Sequence, residues 1–223
     1  MQFSYDQTIR DKFPELKTGI ITVDGVSFTG NVLAWTAHFQ AIAAARLAGT
    51  TESAFPEIQA WRKAFTRMGH KPTQYRCASE SLLRRFRSEG TLPCIHPLVD
   101  LCNSVSIAFA IPIAIFDLSK IEGNLTVSHA DGNELYESFN GAIEHPEKGE
   151  VIFPDTSARA HACRWVNRRS GYSAVRGETL RALIIAEALH DEAGDDVARL
   201  CTTLRRTITE TWPAASISEG MAL

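Results

Sequence analysis

In His96-Pro-Leu-Val-Asp-Leu-Cys-Asn-Ser-Val-Ser-Ile-Ala-Phe-Ala-Ile-Pro-Ile-Ala-Ile-Phe-Asp-Leu-Ser-Lys-Ile-Glu-Gly123 a helical period gives way to a buried strand. Pro97 suits the first residue of a helix, because its missing N–H is unpaired there in any case. Leu98, Leu101, Cys102, Val105 and Phe109 recur as one inward stripe, and Asp100, Asn103 and Ser104 fall together on a neighbouring face. Pro112 stops the helical period, and Ile113–Phe116 is a short apolar run of strand type. The polar group therefore lies in the first two turns of its helix, where unpaired amides and the positive dipole end favour a carbonyl or carboxylate. Asp100 pairing with first-turn amides and Asn103 tying down a loop is the alternative that the residues alone leave open.

Outward from this stretch, Ile20–Phe28 is β-branched around Asp24-Gly25, which predicts a strand or tight hairpin. Trp35, Phe39, Ile42 and Arg46 predict a helix that Gly49 ends. Ile58, Trp61, Phe65 and Met68 predict a second, with Thr51 and Ser53 as caps and a break over Gly69–Pro72. Ser79–Glu89, closed by Gly90, is a third. Beyond Pro112, Leu125–Ser128, Val151–Phe153 and His161–Val166 read as strands, and Ala182–Leu189 fits strand or helix. Val197, Leu200, Cys201, Leu204 and Ile208 form a closing helix behind Asp195 and Asp196. The expected class is α+β: a single domain with a mixed sheet, N-terminal helices and a C-terminal helix.

The chain has 223 residues, 44% apolar and 22% charged, so there is a core to bury. A net charge of −3 argues against a general nucleic-acid binder and confines any nucleic-acid contact to a local patch. The uncharged run Leu101–Phe116 is too short and too polar for a membrane span. Met1-Gln-Phe-Ser-Tyr-Asp6 lacks the basic and apolar regions of a secretory signal, so a cytoplasmic location is expected. Cys77, Cys94, Cys102, Cys163 and Cys201 read as free thiols. His70, His96, His129, His145 and His190 are scattered at no ligand spacing, so neither metal nor cofactor is expected.

The central stretch resembles the B3/4 domain of the phenylalanyl-tRNA synthetase beta subunit, through Pro97, Val99, Asp100, Asn103, Pro112, Phe116, Asp117, Ile121, Glu122 and Gly123 in order. The resemblance runs from near Trp61 to near Leu189. It implies a B3/4-like domain over residues 61–210, an N-terminal strand and helical extension over 1–60 packed on it, and a tail over 211–223. In the synthetase this domain binds and hydrolyses tRNA carrying the wrong amino acid, chiefly tyrosine. The implied function is thus aminoacyl-tRNA binding with trans-editing deacylation. The alternative is a pocket protein that binds a free amino acid or small carboxylate without turnover.

The same resemblance makes Cys102, Asn103 and Ser104 pocket residues and puts Ala114 where the synthetase motif has its editing histidine. Alanine cannot position or activate a water, so no catalytic residue is assigned. Arg164, Trp165, Asn167 and Arg168 match an Arg- and Trp-rich segment of freestanding B3/4 proteins. Read as one strand, they put Arg164 and Arg168 on a shared face able to hold a carboxylate or phosphate, or else as a solvated ladder over a buried Trp165. Glu187 is a candidate for the glutamate that reads the tyrosine hydroxyl, an exposed helical Glu being the competing reading. Asp155 also follows an apolar run and is expected at a strand end. Arg76, Arg84, Arg85 and Arg87 resemble the basic helix of the freestanding proteins and are the expected tRNA contact, set against an ordinary solvated face paired with Glu80 and Glu89.

Overall fold

The computed structural model describes residues 2–220. In chain order the elements are β1 (Phe3–Tyr5), α1 (Gln7–Lys12), β2 (Lys17–Asp24), α2 (Leu33–Leu47), α3 (Pro56–Arg67), α4 (Ala78–Glu89) and α5 (Pro97–Phe109). After α5 come β3 (Ile113–Asp117), β4 (Leu125–His129), β5 (Tyr136–Glu137), β6 (Ile143–Glu144), β7 (Val151–Ile152), β8 (Ala162–Cys163) and β9 (Arg168–Arg169). The chain closes with β10 (Arg181–Ala188), α6 (Ala193–Thr211) and β11 (Ser216–Gly220). This is the expected α+β class. Among the described residues no helix is long and apolar enough to cross a membrane.

Local chemistry sets the boundaries of the decisive helix. Pro97 is its first residue, and the His96 ring caps it by accepting at Nδ1 from the Leu98 N–H at 3.1 Å. Asp100 accepts from the Ile95 N–H at 2.8 Å, so its carboxylate secures the chain just before the helix. Ala110, at φ 57°, ends it in the left-handed region, and β3 follows directly. Gly90, at φ 74°, ends α4 in the same way without a steric cost. Thr51 and Ser53 do not cap α3. A 3-10 turn over Glu52–Ala54 intervenes, and Pro56 is the first helical residue instead.

The main sheet is antiparallel in the order β11-β2-β10-β3. From Ala182 to Ala188, β10 is buried at every residue, which explains why its sequence shows no strand alternation. Its side chains still alternate between two cores. Ile184, Ala186 and Ala188 join Leu98, Leu101 and Cys102 of α5 and Val197, Leu200 and Leu204 of α6 on one face. Leu183 and Ile185 join Ala114, Phe116, Trp61, Phe65 and Trp165 on the other. That second face is closed by α1, α3, α4 and a small sheet ordered β1-β4-β7.

Both terminal segments enter the main sheet. Residues 1–60, expected as an extension packed on the core, also supply β2, which lies inside the main sheet between β11 and β10. The 211–223 segment is no mere tail, because Ser216–Gly220 pairs with β2 from Ser216↔Asp24 to Gly220↔Ile20. Long-range strand pairing carries no local periodicity. The tight packing of β2 makes a testable demand at Gly19: a Cβ there would overlap Cys201 Sγ and stand 2.9 Å from Val197 Cγ1, both on α6. Gly19→Ala is therefore expected to lower stability by about 1–3 kcal/mol, read as a lower urea midpoint at unchanged m-value.

Candidate functional site

The expected strand over His161–Val166 is instead a tight hairpin. Arg164 and Trp165 lie at φ 47° and 57°, and two successive left-handed residues turn the chain back so that Ala162 pairs with Arg169 and Cys163 with Arg168. The shared Arg164 and Arg168 face therefore does not form. The Arg164 backbone N–H donates to Glu150 Oε1 at 2.8 Å, and its guanidinium lies over the Tyr75 ring at 4.9 Å. Arg168 forks onto both oxygens of Glu144 at 2.7 and 2.8 Å. Asn167 Nδ2 donates to the Arg76 carbonyl at 2.7 Å. Trp165 turns inward, fully buried, with its ring edge-on to Phe13 at 4.8 Å and Trp61 at 5.2 Å.

At the far end of this interior stands Glu187, a strand residue at 1% exposure rather than an exposed helical one. Its Oε1 accepts from the Tyr5 hydroxyl at 2.6 Å and from Trp165 Nε1 at 2.7 Å, and its backbone carbonyl accepts from Trp61 Nε1 at 3.3 Å. Its Oε2 is buried with no hydrogen-bond partner among the described residues. Burial pushes the Glu187 carboxyl above the usual carboxylate range and outweighs the Tyr5 and Trp165 donors and the nearby Arg169 charge. The Tyr5 phenol is driven well above its ordinary value by burial and by the Glu187 charge, so it stays a donor.

Arg169 is the residue that sequence reasoning passed over. Its Nη1 and Nη2 are buried with no hydrogen-bond partner among the described residues, and its guanidinium lies over the rings of Phe116 at 4.8 Å and Phe153 at 5.7 Å. Burial lowers its pKa to about 10, against the opposing pull of Glu187. The place of Arg169 after the Arg164-Trp165 turn, which swings it inward while Arg168 swings out, was the signal; only the turn geometry reveals it. The buried guanidinium and the buried carboxyl attract one another through this interior, and neither finds a hydrogen-bond partner for these atoms among the described residues.

The α5 candidates do not join this group. Cys102 is fully buried among the residues on the opposite face of the sheet, and burial raises its thiol pKa. Ser104 is buried and meets Gln40 Nε2 of α2 at 3.4 Å. Asn103 is half-buried, one turn before Ile107, with no side-chain hydrogen bond among the described residues. Arg84 and Arg87 both bind the buried Glu52, at 3.2 and 3.0 Å, Arg85 binds Glu89 at 2.9 Å, and Arg76 faces Glu80 at 3.4 Å. The proposed tRNA contacts are thus already engaged with carboxylates.

A second polar chain links Ser173 Oγ to His161 Nδ1 at 2.8 Å and His161 Nε2 to Asp155 Oδ2 at 3.1 Å. The composition is that of a hydrolytic triad, but Ser173 and His161 are at 1% and 0% exposure, closed to an ester. Asp155 also accepts from the N–H groups of Glu122, Ser157 and Arg159. Burial raises its pKa, yet these bonds and that of His161 prevail and hold the carboxyl at about 2. It is a loop staple.

Glu187 gives the pH test. A carboxyl whose folded pKa is raised contributes stability that is present below its unfolded value near 4.5 and is lost as pH climbs toward the folded pKa. Relative to Glu187→Gln, the native chain is expected to lose stability across that window by at most about 1.4 kcal/mol per pH unit. Urea titrations of both proteins from pH 4.5 upward check this; parallel curves refute it.

A family model described as "B3/4 domain" matches residues 60–201. The phenylalanine–tRNA ligase beta subunit of Fusobacterium nucleatum is 35% identical over 74 residues, which are 33% of this chain and 9% of that subunit. That of Cereibacter sphaeroides is 34% identical over 74 residues, with the same coverage of 33% and 9%. The chain thus corresponds to a small part of the length of these relatives. Among solved structures, an N-terminal fragment of the phenylalanyl-tRNA synthetase beta subunit from Pyrococcus horikoshii aligns with 100% of this chain and 51% of its own, at TM-score 0.52 and 10% identity, a likeness of fold. By the extent of the family match, this chain belongs to the B3/4 domain family.

Proposed function

We propose that this chain binds the aminoacyl end of an aminoacyl-tRNA and hydrolyses mischarged ester in trans, with Arg169 and Glu187 receiving the amino-acid part. The observation that carries this reading is the pair itself: two unpaired guanidinium nitrogens and one unpaired carboxylate oxygen, all buried in a B3/4 interior. An aminoacyl ester offers a carbonyl that accepts from a guanidinium and an α-ammonium that donates to a carboxylate, so it complements both. The named relatives, as phenylalanine–tRNA ligase subunits, support tRNA as the carrier.

Entry of the amino acid requires the closed interior around Glu187 to open. β1 is short and is held to β4 over the pairs from Phe3↔Leu125 to Tyr5↔Val127, so it is the piece that yields. Ala114, buried on β3 opposite Ile185, brings no base. Water then adds to the ester carbonyl with help from positioning and from the neighbouring ribose hydroxyl of the tRNA. The bond to the ribose oxygen breaks, that oxygen takes the proton, and free amino acid and uncharged tRNA leave. Arg76, Arg84, Arg85 and Arg87 are the proposed phosphate contacts, trading their carboxylate partners for tRNA, and Asn103, its amide without a hydrogen bond among the described residues, is kept as a contact from the turn of α5 that leads to Ile107.

The absence of a histidine at position 114 and the phenol seated on Glu187 favour a second reading, a protein that binds a free amino acid or small carboxylate without turnover. Release of amino acid from a panel of mischarged tRNAs separates the two. The leading reading expects release above the no-protein rate, reduced about tenfold or more by Arg169→Met, and tRNA binding that weakens with salt at a slope set by few phosphates. No turnover on any charged tRNA, together with thermal stabilisation by a free amino acid, establishes the second. Neither response overturns both.

A further inference from the structure

At a surface cavity, Glu57 converges with two residues from the β10–α6 junction. Glu57 stands in the first turn of α3, His190 in the turn between β10 and α6, and Asp196 in the first turn of α6. One oxygen from each carboxylate and one ring nitrogen of His190 lie within 4.8 Å of one another. They face a cavity of about 580 Å³ whose wall also carries Glu15, Asp191 and Glu192 against Lys63 and Arg67, and Arg67 is itself spent on Glu15 at 2.7 Å. Its balance is acidic, which favours a cation as the occupant.

The hydrogen bonding makes the case sharper than the charge. Arg46 takes Glu57 Oε1 at 2.7 Å, and Arg199 takes Asp196 Oδ1 at 3.1 Å, so each carboxylate is anchored from outside by one oxygen. His190 Nε2 meets Asp196 Oδ2 at 2.9 Å, so a proton lies between them. Glu57 Oε2 and His190 Nδ1 are buried with no hydrogen-bond partner among the described residues, in side chains only 9% and 6% exposed. A buried carboxylate oxygen with no donor calls for a positive charge beside it.

We propose that Glu57, His190 and Asp196 bind a divalent transition-metal ion, which takes the place of the proton between His190 Nε2 and Asp196 Oδ2. One imidazole and two carboxylates form a mixed nitrogen and oxygen set, suited to zinc, manganese, iron or cobalt and poorer for magnesium or calcium, which prefer oxygen throughout. Three protein ligands leave positions open toward the cavity, where water or an anionic small molecule completes the shell. The proposal uses neither Arg169 nor Glu187, and its metal-binding test is separate from the deacylation test of the aminoacyl reading. Spacing along the chain gives no hint of it, because the fold alone brings the three residues together.

The test uses the full chain, stripped with chelator and titrated with Co²⁺ and Zn²⁺. The expected result is one Co²⁺ per chain with visible d–d absorption and no thiolate charge-transfer band, displacement of that band by Zn²⁺, and a melting midpoint that rises with Zn²⁺ but not with Mg²⁺. Glu57→Gln, His190→Ala and Asp196→Asn should each weaken binding by about tenfold or more, and far-ultraviolet circular dichroism reports whether each still folds. Absence of Co²⁺ absorption in the native chain overturns the proposal without reference to any variant. So does a charge-transfer band abolished by Cys94→Ser, which would assign the metal to the exposed thiol, and so does equal binding by His190→Ala.

Discussion

The interior is organised by the cost of placing a carboxylate where water cannot follow. Glu187 sits on a strand buried along both faces, and a lone buried carboxylate is expensive unless donors meet it. The Tyr5 hydroxyl and the Trp165 indole meet one oxygen, which ties strand β1, the β8–β9 hairpin and β10 to a single point. Trp61, bonded to the backbone of the same residue, adds α3. Four separate elements thus share one polar anchor inside an aromatic core. The second oxygen and the unpaired nitrogens of Arg169 are what remain for chemistry.

The alternation of β10 separates two halves of the molecule that linear reasoning tends to merge. Residues facing α5 and α6 form one core, and residues facing Trp61 and Trp165 form the other. Cys102 and Trp165 therefore lie on opposite faces of one sheet, although both belong to segments that the family resemblance marks as pocket wall. A two-sided sheet gives a polar ligand two environments to choose between, and only one of them holds unpaired buried charge of both signs.

Much of the architecture was legible in the sequence. Helical stripes at Trp35–Arg46, Ile58–Met68, Ser79–Glu89, Leu98–Phe109 and Val197–Ile208 each became a helix, because amphipathic period and local stop residues agree there. What escaped was non-local: the insertion of β2 into the sheet, the pairing of β11, and the choice of strand for Ala182–Leu189, all decided by partners far along the chain. The site was less legible still. Arg164 and Arg168 read as a ladder only if the backbone stays extended, and the left-handed pair at Arg164 and Trp165 reverses it, exchanging Arg168 for Arg169 as the inward guanidinium. Glu187 was named from the resemblance, but its burial, its donors and its free oxygen depend on Tyr5 and Trp165, which no local pattern links to it.

The strand Ser216-Ile-Ser-Glu-Gly220 closes the sheet by occupying the outer edge of β2. Without it, the apolar run Ile20-Ile-Thr-Val23 would present a row of bare amides and carbonyls, an invitation to strand-to-strand aggregation. The short, mostly polar closing strand acts as a selvedge: it keeps a greasy ribbon from unravelling into its neighbours, and removing it would trade a monomer's rim for a polymer's seam.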